Sequence, residues 1–129
     1  MEKIEEYIKK HQENPEKAAD LERYIQLLEE KHGIKKDSQI YNKANISRQN
    51  WHSILSGESQ PKLTTILKIV FAMKLDNREC KYLLKKVGYT LASSSKFALV
   101  IRYCLDNKIY ELYEINDYLE QCGCEERLA

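Results

Sequence analysis

Apolar residues recur along this chain at the three- and four-residue spacing of amphipathic helices, and no stretch alternates as a strand would. Ile4, Tyr7, Ile8 and His11 give a first short helix over 2–14. Asn14-Pro15 is a helix-start signal, and Ala18, Leu21, Tyr24, Ile25 and Leu28 form a stripe that runs to Lys31, with Gly33 as the stop. Ile40 and Ala44 then share one helical face, and Trp51, Ile54 and Leu55 share another. Between them lies Asn45-Ile46-Ser47: Asn tolerates the left-handed backbone of a sharp helix stop, Ile46 can plug the angle, and Ser47 can cap the next helix. The pattern is that of two short helices meeting at a tight corner, the second over 47–56.

The next segment, from Thr64 to Leu75, is apolar on most sides through Ile66, Leu67, Ile69, Val70, Phe71 and Met73, as expected of a central buried helix. Asp76-Asn77 caps a further helix with Cys80, Leu83, Leu84 and Val87 on its inner face and Gly88 as its stop. Ser93-Ser94-Ser95 precedes a helix from Lys96 to Leu105 bearing Phe97, Leu99, Val100, Ile101, Tyr103 and Cys104, which Asp106-Asn107 breaks. A last helix from Leu112 to Cys122 carries Tyr113, Ile115, Tyr118 and Leu119 and ends at Gly123. The predicted fold is therefore all-α, a compact helical bundle, divided into an N-terminal helix over 1–14, a helical domain over 15–89 and a C-terminal extension over 90–129.

Around Ala44-Asn45-Ile46-Ser47 the chain resembles the lambda-repressor-like (Cro/CI, XRE) helix-turn-helix family, whose pattern is a helix, a small residue, Gly, an aliphatic residue, Ser/Thr and a recognition helix. The resemblance continues through Ile54, Leu55, Gly57 and Pro61 into TTILKIVFAMKL and covers about half of the chain. It departs from the pattern at Asn45, in place of Gly, and at Tyr41, where the family carries a small residue. The resemblance implies a repressor-type transcription regulator that binds double-stranded DNA as a dimer, with base contacts near Ser47, Gln49, Asn50 and Ser53. The outward positions of helix 47–56 also include Arg48 and His52. Arg matches the acceptors of guanine, and Gln and Asn match the adenine edge. Phosphate contacts are expected from Lys35, Lys36, Lys43, Lys62 and Lys68. Trp51, on the inward face, is expected in the core.

Charge adds a distribution rather than a total. The net charge is +1, yet residues 1–32 sum to −3, residues 33–96 to +8 and residues 97–129 to −4. A basic middle between acidic ends fits a DNA-binding module with flanking helices, although charge runs are also common on solvated helix faces. Tyr103, Tyr110, Tyr113 and Tyr118 mark the C-terminal helices as a dimer or partner surface, unless they fold back to complete the core. A second reading is therefore an adaptor, or an inhibitor of a nucleic-acid enzyme, built on the same scaffold. An antitoxin would combine the two.

The remaining composition restricts the chemistry. There is no apolar run of about 20 residues to span a bilayer and no signal-peptide pattern at MEKIEEY, so a cytoplasmic protein is expected. Cys80 and Cys104 fall on core positions, whereas Cys122-Gly123-Cys124 lacks the second pair that a zinc site needs. No phosphate loop, HExxH or GxSxG is present. The expectation is a binding protein with no cofactor, no metal and no enzymatic activity.

Overall fold

The computed structural model describes residues 3–6 and 15–128, and the segment over 2–14 expected as a first helix lies largely outside the described residues. Seven helices follow from Pro15: α1 (Pro15–His32), α2 (Ser38–Lys43), α3 (Arg48–Ser56), α4 (Leu63–Ala72), α5 (Asn77–Lys86), α6 (Lys96–Asp106) and α7 (Leu112–Gln121). The fold is all-α, and no strand occurs among the described residues.

The helix boundaries follow from local chemistry. Side-chain oxygens of Ser47, Asp76 and Ser95 accept from the backbone N–H three residues on, capping α3, α5 and α6. At α5 Glu79 returns a bond to the Asp76 N–H and completes a capping box. The other ends share one device. After α1, α2, α4, α5, α6 and α7 a single residue takes positive φ: Gly33, Asn45, Lys74, Gly88, Lys108 and Gly123. In each case the next N–H reaches back five residues, as Ile34 does to the Glu29 carbonyl (2.8 Å), Ile46 to Tyr41 (2.8 Å) and Leu75 to Val70 (3.1 Å). This paired closure satisfies carbonyls that the helix leaves open, and its apolar last residue folds back onto the helix. The glycines and Asn45 are legible as stops. Lys74 and Lys108 are not, because lysine has no preference for left-handed backbone, and α4 consequently ends at Ala72, short of Leu75.

Lys108 thus holds a conformation that costs an ordinary L-residue about 1–2 kcal/mol. We expect Lys108→Gly to raise stability by about 0.5–1 kcal/mol, the gain being reduced by the extra freedom of glycine in the unfolded chain. Urea denaturation of the two proteins measures this directly, and a destabilised variant would show that the lysine side chain matters more than the backbone.

Packing joins the helices through one apolar cluster that runs from Leu21 to Leu128. In it α1 packs on α3 and α5, α4 packs on α2 and α5, and α6 bridges α5 and α7. The centre is α4, whose Ile66, Leu67, Ile69, Val70 and Phe71 are all buried. Residues after 90 take full part: Val100, Ile101, Cys104, Leu105, Ile115 and Leu119 lie in the same cluster. Asn77 Nδ2 also donates to the Arg102 carbonyl (3.2 Å), tying the start of α5 to α6. The tail holds a core residue that the periodicity does not reveal. Leu128 is completely buried, and Asn116 secures it by donating to its carbonyl (2.9 Å) and accepting from its N–H (2.8 Å).

Candidate nucleic-acid interface

The inner side of α3 is fixed before its outer side becomes available. Trp51, Ile54 and Leu55 are buried, and the indole Nε1–H donates to Asp37 Oδ2 (3.0 Å), linking α3 to the residue that precedes α2. The Tyr41 ring lies against Trp51 at a centroid distance of 6.0 Å and a tilt of 45°. An aromatic side chain is therefore accommodated at this corner as a half-buried partner of the indole. Asn45 (φ 58°) turns the chain, Ile46 is buried beneath the turn and Ser47 caps α3.

With that face committed, Arg48, Gln49, Asn50 and His52 stand exposed on the opposite side of α3, and Ser53 is half-buried beside them. Ser47 is exposed, but its hydroxyl oxygen already accepts from the Asn50 N–H (3.0 Å), which uses one of its two lone pairs and leaves the O–H and one acceptor site. Its position is set by the helix start. The geometry therefore gathers five polar side chains of different hydrogen-bonding character on a single short helix, held from behind by an indole.

The expected phosphate-binding lysines divide into two groups. Lys35, Lys36, Lys43 and Lys62 are exposed, the first two just ahead of α2, the third at its end and the fourth immediately ahead of α4. Lys68 differs: only 9% of its surface is accessible, and burial pulls its pKa below the ordinary lysine value. It lies on α4 among residues that line a recess with Lys43, Phe71, Lys74 and the 110–113 segment, so it is not spread on open surface. The reason is that α4 is apolar almost all round and is covered on this side by the chain entering α7.

The tyrosines also separate. Tyr103 and Tyr113 are 50% and 66% exposed. Tyr118 is half-buried and meets Tyr103 edge-on at 5.5 Å, while Tyr110 is half-buried with Lys74 Nζ 5.9 Å from its ring centre. Two polar groupings escape the sequence reading. Glu79, buried between α5 and α1, binds Lys31 (3.0 Å) and His32 Nε2 (3.0 Å). Burial opposes its charge, but these bonds and the Asp76 N–H outweigh that and hold its pKa below the usual range. Glu29 lies beside Asp37; burial, a hydrogen bond to that carboxyl and its charge raise the Glu29 pKa to about 8. Only the Asp76-to-Glu79 spacing could have been read from the sequence as a capping box; the other partners are distant in the chain.

All four cysteines are free thiols, and burial raises Cys80 to about 12 and Cys104 to about 11, which suits inert core residues. Among the described residues no three metal-ligating side chains gather, and no helix is long and apolar enough to cross a membrane. Compared with known proteins, the chain matches no family model, no curated sequence and no solved structure.

Proposed function

We propose that this protein is a sequence-specific DNA-binding transcription regulator of the repressor type, with α3 inserted in the major groove. The observation that carries the reading is the construction of α3. Its start is fixed by the left-handed Asn45, buried Ile46 and capping Ser47, its back by Trp51, and its open face holds Arg48, Gln49, Asn50 and His52. A short rigid helix presenting such side chains suits base-edge recognition, and the exposed Lys35, Lys36, Lys43 and Lys62 suit phosphate contacts. The surplus of positive charge over 33–96 favours the same partner. Dimerisation through α6 and α7, where Leu99 and Tyr103 are each 50% exposed one helical turn apart, would place two copies of α3 on successive half-sites.

The test is fluorescence anisotropy with duplexes from neighbouring and unrelated DNA at salt concentrations from about 50 to 200 mM, over which phosphate-driven binding falls steeply. Gln49→Ala and Asn50→Ala should each weaken specific binding by about 1–3 kcal/mol and relax base preference. Variants that bind specific and scrambled DNA just as the unaltered protein does would remove α3 from the role. A protein-binding adaptor is the second reading, favoured by exposed Tyr103 and Tyr113 in the acidic segment 97–129. Failure to bind any duplex at low salt would direct attention there.

A further inference from the structure

α1 and α5 run side by side along a seam that the Lys31–Glu79, Tyr24–Tyr82 and Asp20–Lys86 contacts join. Its outer surface is both basic and apolar. On α5, Arg78, Lys81, Tyr82 and Lys85 are exposed at the i, i+3, i+4, i+7 spacing of one helical face, while the acid of this helix, Glu79, is turned inward and buried. On α1, Leu27 follows Tyr24 by one turn on the side that carries Tyr24 and Lys31, and it is 60% exposed; Tyr82 is 54% exposed. Lys86 Nζ, held by Asp20 (2.6 Å), stands 5.8 Å from the centre of the Tyr24 ring and 5.4 Å from that of Tyr82. Leu27 and the two rings thus form an apolar strip fringed by cations, which suits a partner that offers a ring among carboxylates.

Such a surface stands on the chain itself. α7 has no lysine or arginine, and it exposes Tyr113, Asp117 and Glu120 along one face with half-buried Glu114 at the flank. The tail beyond Gly123 adds exposed Glu125 and Glu126. Read backwards, this face steps by three and then four residues from Glu120 to Asp117 to Tyr113, as α5 does from Arg78 to Lys81 to Lys85. We propose that the seam between α1 and α5 docks α7 of a second copy of this chain, antiparallel to α5. Arg78 then meets Glu120, Lys81 meets Asp117, and Tyr113 lies beside Lys85 within a turn of Tyr82. Two different faces meet, so the contact is heterologous, unlike a symmetric pairing through Leu99 and Tyr103. The segregation of charge, +8 over 33–96 and −4 over 97–129, favours it and sets like faces against each other in any other register. It stands whether or not α3 reads DNA, since it uses no side chain of α3.

The experiment uses the full chain and two charge-reversed variants, Lys81→Glu/Lys85→Glu on α5 and Asp117→Lys/Glu120→Lys on α7. All four positions are exposed, so the fold should persist, which circular dichroism checks. Sedimentation velocity of fluorescently labelled copies at about 1–200 μM measures each pairing. The unaltered chain is expected to self-associate and to lose at least about tenfold in affinity between about 50 and 500 mM salt. Each variant alone should associate at least about tenfold more weakly, because like charges then face each other. Mixed, the two variants should recover the unaltered affinity, since an acidic α5 then faces a basic α7. Leu27→Ala should weaken association about tenfold with every charge kept. Symmetric pairing through α6 predicts equal affinity for every combination, and that result would overturn the proposal, as would a chain that stays monomeric throughout. It is overturned too if Lys81→Glu/Lys85→Glu costs only affinity for a DNA duplex, which would give this face to a phosphate backbone.

Discussion

Trp51→Ala is expected to destabilise the protein by about 3–5 kcal/mol, a large share of the roughly 5–15 kcal/mol that holds a domain of this size together. The side chain is completely buried on the inner face of α3, where its removal leaves a cavity among Ile54, Leu55 and the Tyr41 ring. The same change removes the donor to Asp37 Oδ2, so a half-buried carboxylate loses a hydrogen bond. Trp51→Phe separates the two effects. It keeps most of the apolar volume and should cost less, about 1–3 kcal/mol, chiefly through the missing N–H. Urea unfolding followed by circular dichroism measures both. A loss below about 1.5 kcal/mol for Trp51→Ala would mean that α3 is held by something other than its indole, and the rigid presentation of Arg48, Gln49 and Asn50 would lose its physical basis.

Much of this framework can be read from the chain because it depends on residues close in sequence. Ser47, Asp76 and Ser95 cap the helices that their positions announce, Asn45 turns the corner, and Leu21, Ile25 and Leu28 of the first stripe are buried as its period requires, with Tyr24 half-buried beside them. What the period conceals is what depends on distant partners. Leu128 enters the core only because Asn116 binds its backbone, Glu79 is charged and buried only because α1 brings Lys31 and His32 to it, and Glu29 meets Asp37 only when α1 and α2 are both in place. Lys68 is the instructive case at the candidate interface. A lysine in an apolar helix reads as a surface charge, but the 110–113 segment closes over that side of α4 and turns it into a recess wall. The helical positions were legible, and the chemistry that arises between helices was not.

The carboxyl pair predicts an unusual pH dependence. Glu29 ionises at about 8 in the folded protein against an ordinary value of 4.5, because burial, the hydrogen bond to Asp37 and the charge of Asp37 all favour its protonated form. The folded state therefore retains a proton that the unfolded chain releases, and stability must fall as pH rises from about 4.5 to about 8. Glu29 is only half-buried, so solvent screening reduces the effect to about 1–2 kcal/mol. Glu79 acts in the opposite direction: its pKa is lowered in the folded state, so its contribution is present above the ordinary carboxylate value and is lost as pH falls below it. Together the two place greatest stability at mildly acidic pH. Glu29→Gln imitates the protonated carboxyl and should flatten the loss between pH 5 and 8 while leaving the acid limb, which belongs to Glu79, in place. Thermal unfolding across this range tests the pair, and Trp51, the one tryptophan of the chain, reports on the local event through its bond to Asp37. An equal slope in the unaltered protein and Glu29→Gln would show that the proton is not held there. A slope removed by the substitution would assign the loss to the Glu29 carboxyl beside Asp37, the same residue that accepts from the Trp51 indole and ties α3 to the start of α2.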